Sequence, residues 1–199
     1  MIKITHKKIK EIMKQFQFPI SKIEDMQAID VYHTHNWDHI IKHWDEDSKR
    51  NENPALREFY FDLQDMLEFL SDYLSTLTYK EAIFASLYGG RFVGIPYTKE
   101  FIPCVDELTK WLHANNMRIN SSAGLLVTKK ELLDCIGMIS ECGFMGMTRL
   151  FILIPESGVA ITAHHHMNYL IYTNDFNKQR LIIKKIIDMQ NTIDVYFSK

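Results

Sequence analysis

Seven of the nine histidines fall in two short stretches. Residues 33–43, "HTHNWDHIIKH", hold His33, His35, His39 and His43 with Asp38 among them. Residues 164–166 are three histidines in a row inside "GVAITAHHHMNYLIYT" (158–173). Imidazole is the side chain that changes charge near neutral pH, and it is a frequent ligand of Zn and Mn. The chemistry these stretches suggest is metal binding, proton transfer or the orientation of a scissile phosphate.

Residues 159–173 read as one β-strand, and side chains alternate along a strand. His165 then shares a face with Val159, Ile161, Ala163, Met167, Tyr169 and Ile171 and is expected to point into the core. His164 and His166 share the other face with Thr162, Asn168 and Tyr172, about 7 Å apart in regular strand geometry. That pair is the candidate for catalysis, or for metal binding, under a hydrolase or nuclease reading. A His-hydrophobic-His on a central strand is similar to the site of certain single-strand endonucleases. That motif needs an apolar middle residue and a tyrosine on the next helix. Here the middle residue is His165, and residues 175–190 contain no tyrosine.

The first stretch is similar in outline to the H-x-H-x-D-H motif of metallo-β-lactamase-type hydrolases. It departs from it, because Asn36 and Trp37 stand between His35 and Asp38 where the motif has one residue. His35, His39 and His43 are spaced four apart, which aligns them on one face of a helix predicted over 36–46. Its apolar stripe is Trp37, Ile40, Ile41 and Trp44, so His39 and His43 are expected to face away from the core. His35 and His39 join His164 and His166 as metal ligands, Zn or Mn, only if the two stretches converge.

The elements that must position these residues follow from periodicity. Helices are predicted over 3–17, from the capping-box pattern "SKIE" at Ser21, over 55–77, from "TYKE" at Thr78 to about Tyr88, and over 99–114. From about residue 118 strands dominate. Strands at 124–128, 148–154, 159–173 and 193–197 alternate with helices from "TKKE" (128–131) to Gly143 and over 175–190. "PESG" (155–158) reads as a hairpin turn. The expectation is an α+β protein: a mainly helical region, 1–117, packed on a C-terminal region, 118–199. The latter is a four-stranded antiparallel sheet in β-α-β-β-α-β order, which is similar to the ferredoxin-like arrangement. In 148–154 both parities are apolar, so that strand is expected to be covered on both faces, joining the two regions into one compact unit.

The totals narrow the function. The 199-residue chain has a formal net charge of −2, which argues against general nucleic-acid binding. No apolar run approaches the roughly 20 residues needed to cross a bilayer. The charged N-terminal stretch lacks the apolar core of a signal peptide, and three cysteines without a CxxC make a poor disulfide framework, so the cytoplasm is expected. "YGGRFVG" has glycines but none of the spacing of a phosphate cradle. On helix 55–77, Glu58, Asp62, Asp65, Glu68 and Asp72 are expected to form a negative strip opposite the apolar stripe. That strip suggests a docking surface for a protein with a basic surface. The leading expectation is thus a non-enzymatic partner-binding protein of the immunity, inhibitor or accessory-subunit kind, needing no cofactor.

Overall fold

The computed structural model describes residues 1–35, 54–86, 103–118, 121, 123–146, 148 and 150–197. These form an α+β fold around one eight-stranded, all-antiparallel sheet in the order β1-β4-β3-β5-β6-β7-β2-β8. The strands are β1 (Ile2–Thr5), β2 (Ala28–His33), β3 (Glu81–Ser86), β4 (Ala123–Thr128), β5 (Leu150–Ile154), β6 (Val159–His164), β7 (Asn168–Thr173) and β8 (Ile193–Phe197). Five helices are interleaved with them: α1 (His6–Gln15), α2 (Pro54–Thr76), α3 (Pro103–Ala114), α4 (Lys129–Phe144) and α5 (Phe176–Ile187).

The sheet departs from the expected four strands, because residues 1–117 contribute three of its eight. In β2, Ile29, Val31 and His33 are buried and alternate with Ala28, Asp30 and Tyr32, the signature of a strand covered more fully on one side. In β3, Ala82 to Ala85 are buried on both faces, a continuous apolar run typical of a central strand. The predicted helix at "TYKE" therefore gives way to β3, and "SKIE" opens only a 3-10 segment, Ile20–Asp25. The first predicted helix splits into β1 and α1, with the Thr5 side chain capping α1 by accepting from the Lys8 amide. "TKKE" does make a capping box: Thr128 and Glu131 bond each other's backbone amides at the start of α4.

Interleaving replaces the ferredoxin-like arrangement. β3 lies between β4 and β5, and β2 lies between β7 and β8. The expected long strand 159–173 is two strands, β6 and β7, joined by a turn at His165–Met167. Met167 has φ +53°, in the left-handed region, which reverses the chain. "PESG" is a turn as expected, with Gly158 at φ +60° closing a 3-10 segment between β5 and β6.

Both faces of the sheet are covered, as the double apolar parity of 148–154 required. Leu150, Ile152 and Ile154 face the main core, which α2, α3, α4 and α5 build with them. Phe151 and Leu153 face a smaller core made with Ile9 and Met13 of α1 and with Phe18 and Ile23. In the main core two buried phenols are satisfied: Tyr73 donates to Gln179 Oε1 at 2.8 Å and Tyr169 to Ser140 Oγ at 2.7 Å. A Cβ built at Gly143 would stand 2.5 Å from Ala163 Cβ, so only glycine lets α4 lie this close to the end of β6. The helix predicted over 36–46, with His39 and His43, lies outside the described residues.

Candidate metal centre at the end of β2

His33 is the last residue of β2 and continues the face of Ile29 and Val31, so its side chain enters the main core and is 2% exposed. The helix α2 lies over this end of the strand. Phe59, Leu63, Met66, Phe69, Leu70, Tyr73 and Leu74 dock it at helical spacing. Asp62 is three residues after Phe59 and four before Met66, on the flank of that stripe. It is carried inward, and its side chain is only 6% exposed. Asp65, one turn on, is 39% exposed.

Four side chains meet there. His35 Nδ1 lies 2.8 Å from Asp62 Oδ2, and His33 Nδ1 lies 3.2 Å from the same oxygen. On its other side, His33 Nε2 is 3.3 Å from Asp65 Oδ2. The backbone N–H of His35 donates to His33 Nδ1 at 3.2 Å. A neutral imidazole has one N–H and one acceptor nitrogen. With Nδ1 accepting, Nε2 carries the hydrogen and donates to Asp65. The Nδ1 lone pair is taken by the His35 amide, and the Asp62 oxygen stands beside it at 3.2 Å without a hydrogen bond between the two. His35, 57% exposed, opens the group to solvent.

The group is compact enough to close on a small divalent ion once His35 Nδ1 moves out of its 2.8 Å contact with Asp62 Oδ2. Donor atoms around a tetrahedral ion with bonds of about 2.0–2.1 Å stand roughly 3.3–3.4 Å apart. One ligand atom each from His33, His35 and Asp62 all lie within 4.8 Å of one another.

The sequence-predicted residues are distributed as follows. His35 joins this centre. His39 lies outside the described residues. His164 ends β6 on the opposite face, in register with Asn168 and Tyr32, while His165 and His166 are exposed in the turn. His165 therefore does not enter the core, because the strand has already ended. Of the acidic strip, Glu58, Glu68 and Asp72 are exposed, Asp65 is half-buried and Asp62 is buried. The buried stripe of α2 is rotated toward Asp62 and Phe69, leaving Tyr60 exposed instead. His33 as a ligand was missed by the sequence reading. The alternation over 28–33 was the signal for it, since it places His33 on the core face.

All three cysteines are free and buried. Contact with the Cys104 thiol, together with burial, pushes the Cys142 thiol well above its ordinary range, and burial pushes Cys135 up to about 12. Thiols held protonated in this way are poor nucleophiles. No described helix is long and apolar enough to cross a membrane. Compared with protein-family models, curated proteins and solved structures, the chain matches none.

Proposed function

We propose that the protein is a divalent-metal-dependent hydrolase whose centre is His33, His35 and Asp62. The observation that carries this reading is the convergence of two imidazole Nδ1 atoms on one oxygen of a buried carboxylate. Two histidines and a carboxylate leave coordination positions open, the arrangement of catalytic rather than structural sites. A Zn or Mn ion held there would lower the pKa of a bound water and so supply hydroxide near neutral pH. Asp65 is the positioning residue, because its carboxylate accepts from His33 Nε2–H and keeps Nδ1 aimed at the centre. Substrate approaches from the side of His35.

The test is hydrolysis of small phosphodiester and carboxylic ester substrates by metal-free protein, before and after loading with Zn²⁺ or Mn²⁺. Loaded protein is expected to be active. Asp62→Asn and His35→Ala should each lower kcat/KM by about 10²-fold or more, and Asp65→Asn by about 10–100-fold. Loaded protein without activity on either substrate class overturns the hydrolase reading.

A second reading, a cytoplasmic partner-binding protein of the immunity, inhibitor or accessory-subunit kind, is favoured by one observation. Phe61 is 63% exposed on α2 and shares a helical stripe with Glu58, Asp65, Glu68 and Asp72. An exposed aromatic ring among carboxylates suits a basic partner, since aromatic anchors dominate interface energies. For a protein that co-purifies with the chain, Phe61→Ala with Glu58→Lys is expected to weaken binding at least tenfold. Unchanged affinity places the contact elsewhere.

A further inference from the structure

The β6–β7 turn gathers a second set of donor atoms. His164 closes β6 opposite Asn168, and His165, His166 and Met167 make the reversal. The left-handed Met167 ends the strand, so the three histidines do not alternate between faces as they would along β6. Their rings cluster instead. Centroids are 4.1 Å apart for His164 and His165, 4.0 Å for His165 and His166, and 5.1 Å for His164 and His166. One nitrogen from each lies within 4.8 Å of the others.

The surroundings favour a cation over an anion. Asp30 is on the same sheet face as His164, one residue pair further along β2, and Asn168 Nδ2 donates to Asp30 Oδ1 at 2.6 Å. Burial pushes the Asp30 carboxyl up, while the Asn168 hydrogen bond and the nearby His166 act the other way. A phosphate or carboxylate ligand in this turn would meet the Asp30 carboxylate, whereas a metal ion would be drawn by it.

We propose that the His164–His165–His166 turn is a binding site for a transition-metal ion, separate from the centre at His33, His35 and Asp62. Three imidazoles suit Zn²⁺, Cu²⁺ and Ni²⁺ better than Mg²⁺ or Ca²⁺, which prefer oxygen. Strand parity keeps the two donor sets apart. His33 lies with Val31 on the face of the four-helix layer, and His164 lies with Thr162 and Asn168 on the other. They are nonetheless adjacent along the chain fold, because the His33 amide donates to Met167 O at 3.2 Å.

The experiment is calorimetric titration of untagged, metal-free, full-length protein with Ni²⁺, comparing wild type with His165→Ala/His166→Ala and with His35→Ala/Asp62→Asn. His165 and His166 are exposed, so their loss leaves the core unchanged. The turn variant is expected to bind one equivalent fewer than wild type, and the His35/Asp62 variant to keep the equivalent that the turn variant loses. Wild-type stoichiometry and affinity in the turn variant overturn the proposal, as does a wild type that binds no Ni²⁺. A wild type that binds a single equivalent, lost only in the turn variant, supports the turn site while counting against the centre at β2.

Discussion

Zn²⁺ added to metal-free protein is expected to raise its melting temperature by roughly 5–10 °C when free ion exceeds Kd a hundredfold. An ion that binds only the folded chain stabilises it by about 2.7 kcal/mol at that ratio, and a domain of this size gains about 2–4 °C per kcal/mol. The measurement belongs in the His165→Ala/His166→Ala background, so that the turn contributes nothing. Asp62→Asn keeps the shape of the side chain but removes its charge, and His35→Ala removes a ligand that is largely in solvent and costs little packing. Each is expected to abolish the shift. Asp65→Asn is expected to keep a smaller one, since it weakens the orientation of His33 without removing a ligand. One reporter is specific to this geometry. The His33 Nδ1 lone pair accepts the His35 amide at 3.2 Å in the metal-free chain, and an ion at Nδ1 must take that lone pair. The His35 amide should then shift in the NMR spectrum and exchange its hydrogen faster. A melting temperature that Zn²⁺ leaves unchanged, with a His35 amide that does not move, overturns an ion at this centre and leaves the His35–Asp62 contact a hydrogen bond alone.

The half of this centre that comes from β2 was legible in the sequence, and the half that comes from α2 was not. Alternation over 28–33 states which face His33 occupies, and a histidine that extends an apolar face is held in the core rather than in solvent. Asp62 was misplaced because a helix stripe read from residue types alone has no sharp edge. A stripe that takes in Tyr60 and leaves out Phe69 is rotated away from Asp62, which turns a buried carboxylate into an exposed one. The triple histidine failed differently. Its type and place were evident, but the strand pattern runs unbroken through 159–173 in the sequence. Only the positive φ at Met167 makes it a turn, and methionine is not a residue that advertises such a φ.

For the fold, local signals held where they were redundant. The "TKKE" capping box is followed by an amphipathic run that agrees with it, and α4 results. "TYKE" has the same Thr-x-x-Glu pattern, but the residues that follow are buried on both faces between β4 and β5, and the tertiary setting wins. Pairing partners far apart in sequence, such as β2 with β7 and β8, leave no local mark. The eight-stranded sheet was therefore read as two regions.

A fragment of residues 118–199 is consequently expected to show no cooperative unfolding transition and no native-like near-ultraviolet circular dichroism, whereas the full chain shows both. The fragment lacks β3, which hydrogen-bonds both β4 and β5, and lacks β2, which bonds both β7 and β8. β1, which bonds the other side of β4, is missing as well, so five strand edges that are paired in the full chain would be open, and open edges aggregate. It also lacks α2, whose Phe59, Leu63, Met66, Phe69, Leu70, Tyr73 and Leu74 fill the main core against Ile152, Ile161, Tyr169 and Ile171. Burying such a side chain stabilises by about 1.5–3 kcal/mol. Losing seven of them removes about 10–20 kcal/mol, comparable to or larger than the roughly 5–15 kcal/mol by which a domain is stable at all. A soluble monomeric fragment with a sharp melting transition would mean that the strands from 118–199 can close a sheet without β2 and β3. The pairing order that brings His33 beside α2 would then be a late addition to the fold rather than a part of its core.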